Sequence, residues 1–152
     1  MTKIYSLICL TVLLSCSAVS ESEANYSAEN PSIHESQYDT LQTSSGLRYY
    51  YEKKGKGKEI EIGSKVSTEL SLSIDGKVVW TSESMQNGIF SFVAGQGTVI
   101  KGFDEMALLL REGDEVVAII PPHIGYGDKG AGAMVPPNAT LVYDKFKVVK
   151  VE

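Results

Sequence analysis

The stretch FSFVAGQGTVIKGFDEMALLLREGDEVVAIIPPHIGYGDKGAGAMVPPNATLVYD, residues 90–144, contains short apolar runs separated by loops rich in glycine and proline. Within it, Phe103, Met106, Ala107 and Leu110 stand at i, i+3, i+4 and i+7, which predicts one short helix over residues 99–110. The run EVVAII that follows is continuously apolar, as is typical of a central strand. A short helix followed directly by a buried strand is therefore expected at the centre of the fold.

The flanking sequence is dominated by strand patterns. KVSTELSLSI, residues 65–74, alternates apolar and polar side chains, and Asp75-Gly76 follows it as a two-residue hairpin signal. Further strands are predicted in GLRYYYEKKG, IFSFVAG and TLVYDKFKVVKVE. Many strands and one helix predict an α+β fold, in which an antiparallel twisted β-sheet wraps around one short α-helix.

The chain has 152 residues, which suits one domain, and its net charge of −5 is unevenly distributed. Residues 17–45 carry five acidic residues and no Lys or Arg, whereas residues 46–152 carry fourteen acidic and thirteen basic residues. The domain is therefore close to neutral, and its charge gives no argument for nucleic acid as a partner.

The N-terminus MTKIYSLICLTVLLSCS has one early lysine and an apolar stretch of signal-peptide length. Its end, LLSC, resembles the lipobox of bacterial lipoproteins, a family in which the signal is cut before the cysteine and the cysteine is acylated. We therefore expect a signal peptide over residues 1–15, a lipidated Cys16 with an acidic, disordered tether over residues 16–45, and a folded domain over residues 46–152. The alternative is an ordinary secretory signal in which Cys16 occurs by chance.

Conventional catalytic groups are sparse in the predicted domain. Both cysteines, Cys9 and Cys16, lie in the leader, and His123 is the one histidine of residues 46–152, where a structural role is expected. No group of residues has metal-ligand spacing, and the glycine pairs lack the lysine and the strand-loop-helix setting of a phosphate cradle. The sequence therefore predicts neither a metal nor a cofactor.

Residues 90–144 carry a resemblance to a known family, the FKBP-type peptidyl-prolyl isomerase domain, and the similarity extends over residues 46–152. The residues that carry it are the V-I-x-G-aromatic entry to the helix, the Y-G loop and the PP-x-A-T-L-V-aromatic-D ending. The resemblance implies catalysis of cis–trans rotation about X-Pro peptide bonds in an apolar aromatic pocket. It also implies that the glycine-rich loop is a flap over this pocket, and that the Pro-Pro pair ends the flap and leads into the last strand.

The resemblance implies a role for each pocket residue. Phe103, where the family usually has tryptophan, should be the floor on which proline rests. The backbone N–H of Ile100 and the hydroxyl of Tyr126 should be the donors to the ligand. The walls and the flap tip should be formed by Phe90, Val99, Ile100, Tyr143, Met134 and Val135.

Several positions depart from the family pattern. Val79 stands where the family has a pocket phenylalanine, Trp80 where it has an aspartate, Leu70 where it usually has tyrosine, and Ala131 where a histidine is common. These changes imply a pocket edge without polar groups and weaker binding of macrolides. The alternative for Trp80 is a position in the core beside Leu72 without contact to ligand.

One further departure is an extra residue near Lys145. The alternation of apolar and polar side chains resumes one residue out of phase in YDKFKVV, and this predicts a β-bulge there.

These features favour a membrane-tethered isomerase of the bacterial cell envelope that assists the folding of exported proteins. Its partners would be proline-containing segments and, through the lipid anchor, a membrane, and the protein would be a monomer. The alternative is an FKBP-like binding module or chaperone with weak or no isomerase activity. The intact floor, walls and Tyr126 favour the enzyme, whereas Trp80 and Leu70 favour the module.

Overall fold

The computed structural model describes residues 39–152 of the chain. In these residues seven strands form one antiparallel sheet and a single α-helix packs on it. The elements are β1 Leu41–Gln42, β2 Arg48–Lys53, β3 Lys65–Ile74, β4 Lys77–Thr81, β5 Phe90–Val93, α1 Lys101–Leu108, β6 Glu115–Ile120 and β7 Leu141–Val151. The strand order is β1-β2-β6-β7-β3-β4, with β5 also paired to β3. The predicted α+β fold is confirmed.

Strand β3 organises the half of the sheet that carries the pocket. The buried residues of its alternating pattern face the core, and Asp75 and Gly76, with φ of 50° and 72°, form the predicted tight turn to β4. One edge of β3 pairs with β7 along most of its length. The other edge is shared, because β4 pairs with residues 71–74 and β5 with residues 65–68.

The helix packs its apolar side on one face of the sheet. Phe103, Met106 and Ala107 of α1 are buried there with Val116 and Ile120 of β6. The helix begins at Lys101 rather than at Val99 because Ile100 is extended, with φ −62° and ψ 151°, while its carbonyl already accepts hydrogen bonds from the first turn. The helix therefore begins two residues later than the predicted span of residues 99–110 and ends two residues earlier, at Leu108.

The predicted β-bulge in the last strand is confirmed. Ser71 of β3 lies opposite Lys145, whereas the next residue, Leu72, lies opposite Tyr143, so Asp144 is the extra residue of β7. The bulge keeps both Tyr143 and Phe146 buried on the core side of the sheet.

Ordered structure begins earlier than the predicted boundary at Gly46. Residues 41 and 42, which the sequence interpretation places in the tether, form β1, with Leu41 opposite Tyr49 and Gln42 opposite Arg48. Gly46, with φ of 86°, occupies the turn between β1 and β2. The predicted signal peptide, Cys16 and the tether up to residue 38 lie outside the described residues, and within residues 39–152 no helix has the length and apolarity needed to cross a membrane.

Candidate functional site

A cavity of about 700 Å³ opens between the sheet, the entry to the helix and the long loop before β7. The sheet contributes Leu70, Leu72, Trp80, Phe90 and Tyr143. The helix and its entry contribute Thr98, Val99, Ile100 and Phe103. The loop contributes Tyr126, Ala131, Gly132, Ala133, Met134 and Val135. None of these side chains is charged, so a bound group meets apolar surface and a few hydroxyl and N–H groups.

Phe103 forms the floor of the cavity from the first turn of α1. Its ring is 2% exposed and stands edge-to-face to Phe90, Phe92 and Tyr143, with centroid distances of 5.9, 5.0 and 5.4 Å. Edge-to-face contacts of this kind favour a fixed ring orientation. The orientation of the floor is therefore fixed by rings from two strands, β5 and β7.

One wall of the cavity is formed by a row of residues that lie opposite one another on three neighbouring strands. Leu72 of β3 lies opposite Trp80 of β4 on one side and opposite Tyr143 of β7 on the other. Directly opposite residues of neighbouring strands point to the same face of a sheet, so these three side chains reach the cavity together.

Asp104 shapes the loop that leads into the helix. Its Oδ1 accepts a hydrogen bond from Gly95 N–H at 2.8 Å, and its Oδ2 accepts one from Gly97 N–H at 3.0 Å. A carboxylate in the first turn of a helix is favourably placed for such bonds. By fixing this loop, Asp104 positions the backbone of Ile100 at the cavity, where its N–H donates to no other group of the described residues.

The loop before β7 is folded by its own hydrogen bonds. Ala131 and Val135 exchange two backbone bonds, of 2.8 and 3.1 Å, and the N–H of Asn138 donates to Gly127 O at 2.8 Å. A Cβ at Gly130 would lie 2.2 Å from Val135 O, so only glycine fits where the two sides of the loop approach each other. Val135 is thereby buried under the loop, whereas the Met134 side chain is 49% exposed at its tip.

The two prolines are followed by a further turn before the strand starts. Asn138 has φ of 56°, and β7 begins only at Leu141. Pro136 and Pro137 therefore end the loop, and β7 starts only after the further turn at Asn138.

Two tyrosines bring hydroxyl groups to the cavity. Tyr126 is 41% exposed, and its hydroxyl is paired with no other described residue. Burial raises the pKa of Tyr143 far above its usual value, and the neighbouring Tyr126 adds a smaller contribution in the same direction. Tyr143 therefore stays protonated over the physiological pH range and acts as a neutral polar group in an apolar wall.

The cavity is an apolar aromatic cup with unpaired donors at its edge, and comparison with known proteins identifies it. The model of the FKBP-type peptidyl-prolyl cis-trans isomerase family matches residues 56–145. The chain belongs to this family.

Individual relatives agree with this assignment. The chain is 38% identical over 92 residues to FK506-binding protein 1 of Dictyostelium discoideum, covering 60% of this chain and 86% of that protein. It is 36% identical over 106 residues to a probable FKBP-type peptidyl-prolyl cis-trans isomerase of Haemophilus influenzae, covering 70% of this chain and 43% of the relative. The crystal structure of FkpA from Escherichia coli superposes with a TM-score of 0.67 at 28% identity, over 74% of this chain and 51% of FkpA. The chain thus spans about half or less of the length of these two bacterial relatives.

Most of the residues predicted for the FKBP site line this cavity. They are Tyr126, Phe103, Ile100, Phe90, Val99, Tyr143, Met134, Val135, Trp80 and Leu70, and Ala131, named above as a departure in the flap, lines it as well. Trp80 lines the cavity, and it also lies opposite Leu72, which lines the same cavity.

Val79 is the exception, because it does not line the cavity. It is the extra residue of a bulge in β4, since Leu72 lies opposite Trp80 whereas the following Ser73 lies opposite Val78. Its half-buried side chain packs against the core instead.

Four lining residues were missed by the sequence interpretation of the site: Leu72, Thr98, Gly132 and Ala133. Leu72 could have been found, because it stands two residues after Leu70 on the same side of β3.

His123 does not line the cavity. Its Nε2 donates a hydrogen bond of 2.7 Å to the backbone carbonyl of Ser45, which joins the root of the flap to the β1–β2 turn. Across residues 39–152 there is no cluster of three or more His, Cys, Asp or Glu side chains that could hold a metal ion.

Proposed function

We propose that this FKBP domain catalyses cis–trans isomerisation of X-Pro peptide bonds in exported polypeptides. The observation that carries the proposal is the cavity itself, with Phe103 as an aromatic floor and the Ile100 N–H and the Tyr126 hydroxyl as donors without partners among the described residues. Its volume of about 700 Å³ accommodates a proline ring together with parts of the neighbouring residues.

The chemistry needs no nucleophile, base or metal, because no covalent bond forms or breaks. The barrier of about 18–20 kcal/mol to rotation arises from the partial double-bond character of the C–N bond. The planar amide is the more polar form, so an apolar pocket disfavours it relative to the twisted transition state. Donors at the cavity edge hold the carbonyls that flank the bond while it turns.

Each pocket group has a role in this proposal. The proline ring rests on Phe103, between the walls formed by Phe90, Val99 and Tyr143. The Ile100 N–H and the Tyr126 hydroxyl bind substrate carbonyls. The flap residues Met134 and Val135 restrict water at the mouth of the cavity, which strengthens the polar contacts inside.

A binding module without turnover is the second candidate. The observation that favours it is the apolar edge of the pocket, which Trp80 and Leu70 form at positions where the family pattern has polar side chains. Such an edge increases affinity for apolar segments equally in the ground state and the transition state, and uniform binding does not accelerate the reaction.

We further propose that the protein is a lipoprotein of the bacterial cell envelope, acylated at Cys16 and monomeric. The support is the LLSC sequence at the end of the apolar leader and the polar, acidic composition of residues 17–38. If residues 17–38 were fully flexible, they would have a root-mean-square span of roughly 25 Å. The domain could then reach polypeptides near the membrane surface.

A protease-coupled isomerisation assay with a proline peptide tests the enzyme. The protein would be the chain without residues 1–15, with Cys16 replaced by alanine. A first-order rate that rises linearly with protein concentration, and that is lost in folded Phe103→Ala, supports the isomerase. Saturable peptide binding without any increase in rate would instead establish the binding module.

A further inference from the structure

The edge of β3 has a gap at the place where it forms the pocket wall. Strand β5 pairs with residues 65–68 of this edge and β4 with residues 71–74, so the backbone between them has no neighbouring strand there. Leu70, which lines the cavity and is 3% exposed, lies in this gap. A buried backbone N–H without a partner is costly, so the gap needs another acceptor.

Ser82 supplies that acceptor from the loop that joins β4 to β5. Its Oγ accepts a hydrogen bond of 3.0 Å from the Leu70 N–H and donates one of 2.7 Å to the carbonyl of Gly88. The serine is 1% exposed, so water does not replace either bond. The Ser82 hydroxyl therefore connects β3 to both ends of the β4–β5 loop.

The β4–β5 loop forms two consecutive turns next to this hydroxyl. The N–H of Met85 donates to the carbonyl of Ser82 at 2.8 Å, and the N–H of Gly88 donates to Met85 O at 3.1 Å. Asn87 and Gly88 both have positive φ, of 61° and 69°, a conformation that Asn and Gly adopt most readily. The acceptor for the Ser82 hydroxyl is thus presented by a left-handed turn.

Three pocket residues lie next to this arrangement. Leu70 is bound directly, Trp80 precedes Ser82 by two residues, and Phe90 follows Gly88 by two residues. Trp80 and Phe90 stand edge-to-face with centroids 6.0 Å apart, across the end of the loop. We propose that Ser82 is a positioning residue that sets the spacing of the apolar wall formed by Leu70, Trp80 and Phe90, and thereby the affinity for substrate.

This inference rests on the proposed function, because it assigns a role within the same pocket. The wall contacts substrate before and during rotation, so its displacement should weaken binding more than it slows the chemical step. In Ser82→Ala, KM for a proline peptide should rise about three- to tenfold while kcat stays within about twofold. The emission of Trp80, the sole tryptophan of the chain, should become more accessible to a quencher.

Ser73→Ala is the matched control. Ser73 is also buried, at 4% exposed, but its Oγ makes one long contact of 3.5 Å to Val142 O, and it does not line the cavity. This variant also loses one buried serine hydroxyl, but from a position in β3 that does not line the cavity. It should leave KM and the quenching of Trp80 unchanged.

The titration of Trp80 emission gives a dissociation constant that does not require turnover. A wild-type protein that binds peptide without isomerising it would overturn the proposed function, while a weaker Kd in Ser82→Ala would still support the role of Ser82. Equal Kd and equal quenching in wild type and Ser82→Ala would overturn the inference, and so would equal weakening in Ser73→Ala.

The unmodified protein offers a test that does not depend on the folding of a variant. The Leu70 amide hydrogen should exchange slowly, and its resonance should shift on peptide titration with the same Kd as the Trp80 emission. Rapid exchange at Leu70, or a resonance that does not move while Trp80 responds, would show that Ser82 does not connect this strand to the pocket.

Discussion

Trp80 stands edge-to-face to Phe90, with ring centroids 6.0 Å apart and an interplanar angle of 85°. Phe90 stands in the same way to Phe103, at 5.9 Å, so aromatic contacts run without interruption from the edge of the pocket to its floor. The alignment predicted from the sequence places the indole where the FKBP pattern has an aspartate. This pocket therefore has a continuous apolar surface at the place where a carboxylate is expected.

The first prediction is that binding of a proline peptide changes the fluorescence of Trp80. The indole lines the cavity and no other tryptophan contributes to the signal, so a bound peptide should alter its surroundings directly. Titration should give a saturable change in emission. An unchanged spectrum at peptide concentrations where calorimetry shows binding would contradict the placement of Trp80 in the binding surface.

The second prediction concerns macrolides that use the aspartate as an acceptor. A hydrogen bond to a charged group is worth about 1.5–3 kcal/mol, so this protein should bind such macrolides at least about tenfold more weakly than FKBPs with the carboxylate. Trp80→Asp should recover at least part of that affinity, because it restores the acceptor. Calorimetry of wild type and variant is the measurement, and equal affinities would show that the acceptor does not matter here.

The sequence predicted the central strands well because their signals are local. The alternation of residues 65–74 and the Asp75-Gly76 pair together specify both the face and the turn of β3. The extra residue at Asp144 was also predictable, because the alternation visibly changes phase there.

The errors arise where the backbone departs from regular pairing. The bulge in β4 turns Val79 away from the cavity, and nothing in KVVWT distinguishes a bulged strand from a regular one. Strand β1 is two residues long within a polar segment, so no periodicity marks it. The bonds of Ser82 join groups that are distant along the chain or depend on loop conformation, and no sequence pattern predicts them.

A third prediction concerns the ion pairs of Glu69 on the outer side of the bulge. Its carboxylate lies 2.8 Å from Lys145 Nζ and 3.0 Å from Lys147 Nζ. These two hydrogen bonds hold the pKa of Glu69 below its usual value, and the one from Lys145 has the larger effect. A carboxyl whose pKa is lowered by folding adds stability above its unfolded pKa, and this contribution is lost as the pH falls through the folded pKa.

Glu69→Gln should therefore reduce the free energy of unfolding by about 0.5–1 kcal/mol at neutral pH, after allowance for solvent screening. The difference should disappear well below pH ~4, where the carboxyl is protonated in both states. Urea unfolding at pH 7 and pH 3 measures it. Glu61→Gln is the control, because Glu61 forms no ion pair within the described residues and should show no such dependence.

The fourth prediction tests the proposed anchor. Cys16→Ala should move the processed protein from the membrane fraction to the soluble fraction, with the circular dichroism of the domain unchanged. Cys9→Ala is the matched control, because Cys9 belongs to the predicted signal peptide and its loss should leave the protein on the membrane. Equal solubility of wild type and Cys16→Ala after processing would exclude the lipoprotein.

The fifth prediction concerns the hydroxyl of Tyr126, which points to substrate in the proposed mechanism. Tyr126→Phe keeps the ring and removes one donor, so it should cost about 0.5–1.5 kcal/mol of transition-state stabilisation, a few-fold to about tenfold in kcat/KM. The side chain is 41% exposed, so the free energy of unfolding should hardly change. The isomerisation assay and urea unfolding measure the two quantities separately.

Tyr51→Phe provides the matched control for this substitution. The Tyr51 hydroxyl makes a long contact of 3.4 Å to Leu109 O, near the far end of α1, and the ring lies outside the cavity. Its loss should leave kcat/KM unchanged. An equal loss of activity in both variants would point to a general effect of removing a phenol group, and an unchanged rate in folded Tyr126→Phe would mean that the Ile100 N–H and the aromatic cup hold the peptide without the flap tyrosine.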